Sequence, residues 1–198
     1  GAHILLVDTG NSYKGLCRLI HERTRGEDGI YMTYEEDRPI TFNPFYSEDR
    51  QFDVEKRESI KTLILTLWKR EDEVPKRSEE VALSGAVNAY IRRITENPEL
   101  RPDFNGFYEF VNVLEPFYKG GDYDFLLNSD KEIDLTHKRF IVFELDNISS
   151  NKVLLPVVTL IIMETFISKM RRLKGIRKMI LIEECWKALM SANMSAYV

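Results

Sequence analysis

Lys178-Met-Ile-Leu-Ile-Glu183-Glu184-Cys-Trp-Lys-Ala-Leu189 is the stretch that decides the fold of this chain of 198 residues. Its apolar part, from Met179 to Ile182, is continuous rather than alternating, which is typical of a parallel strand that is covered on both faces. Two adjacent carboxylates follow it directly. The carboxyl ends of the strands of an open parallel sheet border the ligand-binding crevice, so we expect Glu183 and Glu184 to lie at that crevice.

The two carboxylates fit the chemistry of nucleotide hydrolysis. That reaction needs one carboxylate to hold Mg²⁺, usually through water, and another to orient the attacking water. Adjacent residues of an extended strand point to opposite sides, so the pair can divide these tasks. We assign Glu183 to the metal and Glu184 to the water, which makes Glu184 the catalytic residue. The dipeptide alone fits equally well the first turn of a helix, where acidic side chains are favoured.

Two more apolar runs predict strands of the same sheet. They are residues 3–8 and 140–146, and both end at an aspartate. A helical pattern follows the second run up to about Leu173, and Gly175 ends it before the strand at Met179. A strand, a helix and a strand with short links predict a βαβ unit, and therefore a parallel sheet with a right-handed crossover.

The stretch between these two runs carries helical and hairpin patterns. Ser12 caps a short helix that reaches about Glu22. Residues 30–34 and 40–45 alternate between apolar and polar side chains on either side of a turn, which predicts a hairpin or a strand pair at a sheet edge. Residues 52–118 carry three successive helical stripes broken at prolines, which predicts an inserted all-helical subdomain.

The predicted domain organisation is therefore discontinuous. Residues 1–51 form the first part of an α/β domain, residues 52–118 form the helical insertion, and residues 119–198 form the second part of the α/β domain. The second part contains Glu183 and Glu184.

Composition and charge exclude several classes of function. The content of 43% hydrophobic and 30% charged residues indicates a folded globular protein, and the net charge of −4 argues against nucleic-acid binding by bulk charge. Cys17 and Cys185 are far apart and the histidines are scattered, so neither a disulfide framework nor a zinc site is predicted. No apolar run reaches the roughly 20 residues of a transmembrane helix, and none at the start resembles a signal peptide.

A basic cluster spans residues 169–178 and consists of Lys169, Arg171, Arg172, Lys174, Arg177 and Lys178. Such a cluster can contact DNA or a neighbouring subunit. Basic side chains are favoured at a helix C-terminus in any case, so a solvated cap is the simpler interpretation.

The segment from Ile180 to Leu189 resembles the Walker B element of the conjugative-transfer ATPases of type IV secretion systems, the TraG family of conjugative transposons. Four other blocks resemble that family in the same order: Val7–Cys17, Ile40–Phe45, Gly120–Asn128 and Phe140–Asp146. The resemblance covers essentially the whole chain. It implies a RecA-like P-loop ATPase domain of the α/β class with an inserted all-α subdomain.

The resemblance also implies cofactors, partners and a location for the parent protein. These are ATP and Mg²⁺, the other components of the secretion apparatus, a homo-oligomeric ring or stacked multimer, and the cytoplasmic face of the inner-membrane channel. It leaves the transported substrate open among DNA, pilin and protein. Related motors usually carry Asp-Glu where this chain has Glu183-Glu184, and the longer side chain still reaches a metal through water.

The sequence contains no phosphate-binding loop of the form Gly-x-x-x-x-Gly-Lys-Ser/Thr. Gly10 and Gly15 have the right spacing, but Leu16 stands where the lysine is needed and cannot neutralise phosphate charge. In the family this loop comes just before the strand at residues 3–8. We therefore expect the chain to be a piece of the motor domain that starts after Walker A and stops after Walker B.

It follows that the chain alone is predicted neither to bind ATP tightly nor to hydrolyse it, and we expect no cofactor to be bound to it. Asp8 is a weaker candidate for cofactor binding, because an acid that closes a strand is more often a turn former than a ligand. The alternative function is a non-catalytic α/β module that keeps the fold for protein contacts within the secretion machinery.

Overall fold

The computed structural model describes residues 1–35, 38–47, 50–69, 73–129 and 135–183. Within these ranges the strands are β1 (His3–Asp8), β2 (Ile30–Thr33), β3 (Phe140–Glu144) and β4 (Lys178–Ile182). The α-helices are α1 (Lys14–Arg23), α2 (Val54–Trp68), α3 (Arg77–Glu96), α4 (Phe104–Val111), α5 (Asp124–Leu127) and α6 (Leu154–Arg172). Single turns of 3₁₀-helix cover Glu115–Phe117 and Asp146–Ile148.

The four strands form one sheet in the order β2-β3-β1-β4, and every pairing is parallel. In this register Leu6 of β1 lies beside Val142 of β3 and Leu181 of β4. The predicted α/β fold with a parallel sheet is confirmed. Both sides of β1 and β3 are buried, which explains why their sequences are continuous apolar runs rather than alternating ones.

One face of the sheet is covered by α1. The buried cluster there consists of Leu6, Cys17, Phe140 and Val142, with Ile4, Tyr13, Ile20 and Tyr31 packed against it. The approach is close at the start of β2, since a Cβ on Gly29 would lie 2.5 Å from the carbonyl oxygen of Cys17. Gly29 also has a φ of 75°, so glycine is required there on two counts.

The hairpin predicted over residues 30–34 and 40–45 is wrong. β2 pairs in parallel with β3 at the edge of the described sheet, whereas residues 40–45 form no strand. Asn43 supplies the physical reason, because its side chain accepts a hydrogen bond of 3.0 Å from the amide of Phe45 and forms a local turn. Pro44 lies inside that turn and has no amide to donate to a strand partner.

The chain divides into two compact units, one of Gly1–Ile40 with Ile133–Val198 and the other of Thr41–Glu132. The second unit contains α2 to α5 and has its own aromatic core. The rings of Phe45, Tyr90 and Phe107 pack with centroids 4.8 to 5.6 Å apart, and all three side chains are buried. In that unit α4 ends at Val111, because Asn112 adopts the left-handed conformation with a φ of 56°.

The helices of the described ranges include none that is both long enough and apolar enough to span a bilayer.

Candidate functional site

Three acidic side chains lie where β1, β3 and β4 end. Asp8 and Glu144 are direct neighbours in the β1–β3 register. Glu183 follows β4, and its amide donates a hydrogen bond of 2.9 Å to the carbonyl oxygen of Val7. The structure therefore brings the predicted site residues Asp8 and Glu183 to the same edge of the sheet. Glu184, the predicted catalytic residue, lies outside the described residues.

Asp8 is buried, with 3% of its surface exposed, and both of its carboxylate oxygens accept backbone amides. Thr9 donates to Oδ1 at 2.9 Å and Ser12 donates to Oδ2 at 2.7 Å. In this arrangement Asp8 shapes the loop that follows it, so both of its oxygens are already used by the protein.

Glu144 has an equivalent role and was missed by the sequence analysis. It is 2% exposed, and its Oε2 accepts the amide of Asn11 at 2.7 Å while its Oε1 accepts the amide of Asp146 at 2.9 Å. The hydroxyl of Tyr31 lies 3.4 Å from the same Oε2 and donates to Asn11 Oδ1 at 3.0 Å. The one signal in the sequence was an acidic residue inside an otherwise apolar run.

Burial raises the pKa of Tyr31 to about 12, and the charge of Glu144 contributes in the same direction. The phenol therefore remains a hydrogen-bond donor at neutral pH. It closes a network in which the carboxylate of Glu144 is surrounded by donors from three parts of the first unit: β2, the loop after β1, and the turn after β3.

Glu183 is half-buried and its Oε1 accepts a hydrogen bond of 2.5 Å from the hydroxyl of Tyr13. This bond raises the pKa of Tyr13 above its ordinary value, and burial and the charge of Glu183 act in the same direction. Among the described residues Tyr13 is the one group hydrogen-bonded to this carboxylate.

Gly10, in the loop after β1, and Gly15, in the first turn of α1, have the glycine spacing of a phosphate-binding loop, but the amides of the loop serve another purpose. The amides of Thr9, Asn11 and Ser12 donate to the carboxylates of Asp8 and Glu144. Asn11 adopts a left-handed conformation with a φ of 56°, which aligns these donors. A phosphate in this loop would compete with two buried carboxylates for the same amides.

Magnesium is commonly bound by one or two carboxylates together with water and nucleotide phosphates, rather than by a complete protein cage. Within the described part of the chain no three or more His, Cys, Asp and Glu side chains are arranged to hold a metal by themselves. Glu183, a single carboxylate at the carboxyl edge of the sheet, fits the first kind of site.

The basic cluster at residues 169–178 is divided by the fold. Lys169 is buried, and its ammonium donates to the carbonyl oxygens of Thr136 at 2.9 Å and Lys138 at 2.6 Å. The predicted solvated cap is therefore wrong for Lys169, which is buried too deeply to contact DNA. Lys178 donates to the carbonyl oxygen of Leu173 at the end of α6. The exposed members of the cluster are Arg171, Arg172, Lys174 and Arg177.

Lys169 also lies beside a histidine, with 3.4 Å between its Nζ and Nδ1 of His3. Burial lowers the pKa of His3, and the positive charge of Lys169 lowers it further. His3 is therefore held in its neutral form beside a buried cation at the amino-terminal end of the sheet, away from the three carboxylates.

The whole chain matches the model of the TraG P-loop domain, over residues 1–113 and 109–198. Among solved structures it is similar to VirB4 of Thermoanaerobacter pseudethanolicus, with a TM-score of 0.64 and 15% sequence identity. That similarity covers 100% of this chain and 60% of the VirB4 chain, so this chain spans less than two thirds of it. At this level of identity the similarity establishes the fold. No curated protein matches the sequence.

Proposed function

The chain belongs to the family of TraG P-loop domains, and on that premise we propose that it forms the metal-and-water half of an ATP-hydrolysing site in a motor of conjugation or type IV secretion. The observation that carries the proposal is the position of Glu183. Its backbone is bonded to the end of β1, and its carboxylate lies at the carboxyl edge of the parallel sheet. That edge is where open parallel sheets bind their ligands.

The two glutamates take different roles in this proposal. Glu183 holds Mg²⁺ through a water molecule, using the oxygen that Tyr13 leaves available. Glu184, the next residue, orients the water that attacks the γ-phosphate. A bound Mg²⁺ supplies charge neutralisation to the phosphates. The substitution of Glu for the Asp that is usual at the metal position keeps the charge and lengthens the side chain by one methylene.

The phosphate cradle is the part that this sequence does not supply. No Gly-x-x-x-x-Gly-Lys-Ser/Thr motif occurs in it, and the loop after β1 donates three amides to Asp8 and Glu144. We therefore propose that the chain alone is inactive, and that the parent protein binds ATP and Mg²⁺ with the help of a P-loop that this sequence does not contain.

For the parent protein we propose a homo-oligomeric motor that works with other secretion components at the cytoplasmic face of the inner membrane. We propose the exposed members of the basic cluster, Arg171, Arg172, Lys174 and Arg177, as candidates for a contact with DNA or with a neighbouring subunit. The salt dependence of DNA binding by the full protein tests that contact, because each phosphate neutralised by a basic side chain steepens the dependence.

The division of roles is tested in a protein that joins this chain to the P-loop segment of a TraG-family relative. We expect Glu184→Gln to lower kcat by about 10² to 10⁴, the usual contribution of a positioned acid–base group, with little change in ATP affinity. Glu183→Gln should instead raise the Mg²⁺ concentration needed for half-maximal turnover. Glu22→Gln on the exposed surface of α1 is the control and should change neither quantity.

Two outcomes would overturn the proposal. Turnover that Glu184→Gln leaves intact would remove the catalytic role from this strand end. A folded joined protein that binds ATP without hydrolysing it would favour the non-catalytic assembly module.

A further inference from the structure

The hydroxyl of Tyr13 lies 2.5 Å from Oε1 of Glu183, although the two residues are 170 positions apart in the sequence. A phenol that donates to a carboxylate forms a charge-assisted hydrogen bond, which is shorter and stronger than a bond between neutral groups. Tyr13 is also the residue that immediately precedes α1. The contact therefore links the end of β4 to the loop that follows β1.

The position of the Tyr13 hydroxyl is fixed from two sides. Its ring packs against the buried cluster on the α1 face of the sheet, which contains Leu6, Cys17 and Val142. Its backbone follows directly on the loop whose amides are held by Asp8 and Glu144. The hydroxyl is thus placed by the core and by two buried carboxylates, not by the flexible side chain of Glu183.

The contact restrains the carboxylate of Glu183 through one of its two oxygens. Of the described groups, the Tyr13 hydroxyl alone is hydrogen-bonded to the carboxylate, and it uses one of the two oxygens. A donor that orients a metal-binding side chain in this way commonly contributes 10- to 100-fold to metal affinity or activity.

We propose that Tyr13 is a positioning residue for Glu183, whose hydroxyl holds one carboxylate oxygen and thereby presents the other to the water shell of Mg²⁺. The inference rests on the proposed function for its link to the metal. The contact itself does not depend on that function, so the two parts can be tested separately.

The contact is tested in the 198-residue chain by NMR, with tyrosine labelled with ¹³C at Cζ. Tyr13→Phe assigns the resonance, because it removes one signal. We expect Glu183→Gln to shift the Tyr13 Cζ resonance at a fixed neutral pH, because it replaces the charged acceptor of the hydroxyl by a neutral amide. A Tyr13 resonance that Glu183→Gln leaves in place would overturn the contact, and with it the proposal.

The link to the metal is tested in the ATPase-competent joined protein. We expect Tyr13→Phe, which keeps the ring and its packing, to raise the Mg²⁺ concentration for half-maximal turnover at least about tenfold, with a smaller change in kcat at saturating Mg²⁺. Tyr118→Phe is the matched control, because Tyr118 donates a similar hydrogen bond of 2.8 Å to Glu109 in the other unit. It should leave the Mg²⁺ dependence unchanged.

The outcomes separate this inference from the proposed function. An unchanged Mg²⁺ dependence in Tyr13→Phe, with turnover that still depends on Glu184, would overturn the positioning role alone. A Tyr13→Phe effect that persists in full when Glu183→Gln is also present would show that Tyr13 acts elsewhere. Absence of any turnover would contradict the proposed function, while the effect of Glu183→Gln on the Tyr13 resonance would still decide the contact.

Discussion

Asp8 and Glu144 show how two buried carboxylates can organise a loop. Side by side at the ends of β1 and β3, they would repel each other in a low dielectric unless each were surrounded by donors. The amides of Thr9, Asn11 and Ser12 provide these donors. These hydrogen bonds therefore fix the backbone conformation of the loop that leads to Tyr13.

Replacement of Glu144 by Gln measures this effect. The side chain keeps its shape, but an amide group would face the backbone N–H of Asn11 or Asp146, which leaves a buried donor without an acceptor. We expect the free energy of unfolding to fall by about 2 kcal/mol, the usual range for a lost hydrogen bond to a charged group. Urea denaturation followed by circular dichroism gives the value.

The control for this variant is Glu22→Gln, which removes an exposed carboxylate paired with Arg18 on α1. Exposed ion pairs of this kind contribute about 0.5 kcal/mol or less. If Glu144→Gln and Glu22→Gln lowered the free energy of unfolding by the same small amount, Glu144 would not be the residue that stabilises the loop after β1.

At the scale of elements, the positions of β1 and β3 were predictable from the sequence, but the residues that lie beside them in the sheet were not. β1 and β3 are buried on both faces, so hydrophobicity alone marked them. Glu144 was missed because its role depends on the register that places it beside Asp8, and register is not visible in a single strand. The burial of Lys169 depends on the carbonyl groups of Thr136 and Lys138, which lie about 30 positions earlier in the chain.

The failed hairpin has a different cause. Alternation of apolar and polar residues at 40–45 has the period of a strand, and Ile40 and Phe45 are indeed buried. The backbone turns at Asn43 and Pro44 instead of continuing as an extended strand. The alternation at residues 40–45 therefore predicted the burial of Ile40 and Phe45 correctly, but it predicted the wrong secondary structure.

The aromatic core of the second unit gives a pH-dependent prediction. Tyr90 is 2% exposed, its hydroxyl donates to the carbonyl oxygen of Asp103 at 3.0 Å, and burial raises its pKa to about 12. The pKa in the folded state is above the unfolded value of 10.0. The contribution of Tyr90 to stability is therefore complete below pH 10 and is lost as the pH rises toward 12.

Urea denaturation between pH 8 and pH 11.5 tests this. We expect the wild-type free energy of unfolding to decline above pH 10, and Tyr90→Phe to flatten part of that decline. At pH 8 the same variant should be less stable by about 1 kcal/mol, because the carbonyl of Asp103 loses one of its two donors and keeps the amide of Phe107. Tyr46→Phe, at an exposed tyrosine, should retain the full decline; an equal flattening in both variants would contradict the assignment to Tyr90.

At the scale of the whole molecule, family membership and function stand on different observations. The match to the TraG P-loop domain extends over the entire chain, and the likeness to VirB4 establishes the fold. The function proposed for the chain depends on one edge of the sheet, where Glu183 meets the end of β1. The apolar runs predicted acidic strand ends at Asp8 and Glu183, but they closed the second run at Asp146, whereas β3 ends at Glu144. The Tyr13 contact could not be predicted, since it joins residues from opposite ends of the sequence.

The most direct test of the central claim is ATP turnover by the 198-residue chain alone and by the same chain joined to a TraG-family P-loop segment, each with Glu184 and with Gln at that position. We predict no turnover by the chain alone, Mg²⁺-dependent turnover by the joined protein, and loss of that turnover in Glu184→Gln. Turnover by the chain alone that Glu184→Gln abolishes, or turnover by the joined protein that the substitution leaves intact, would contradict the account.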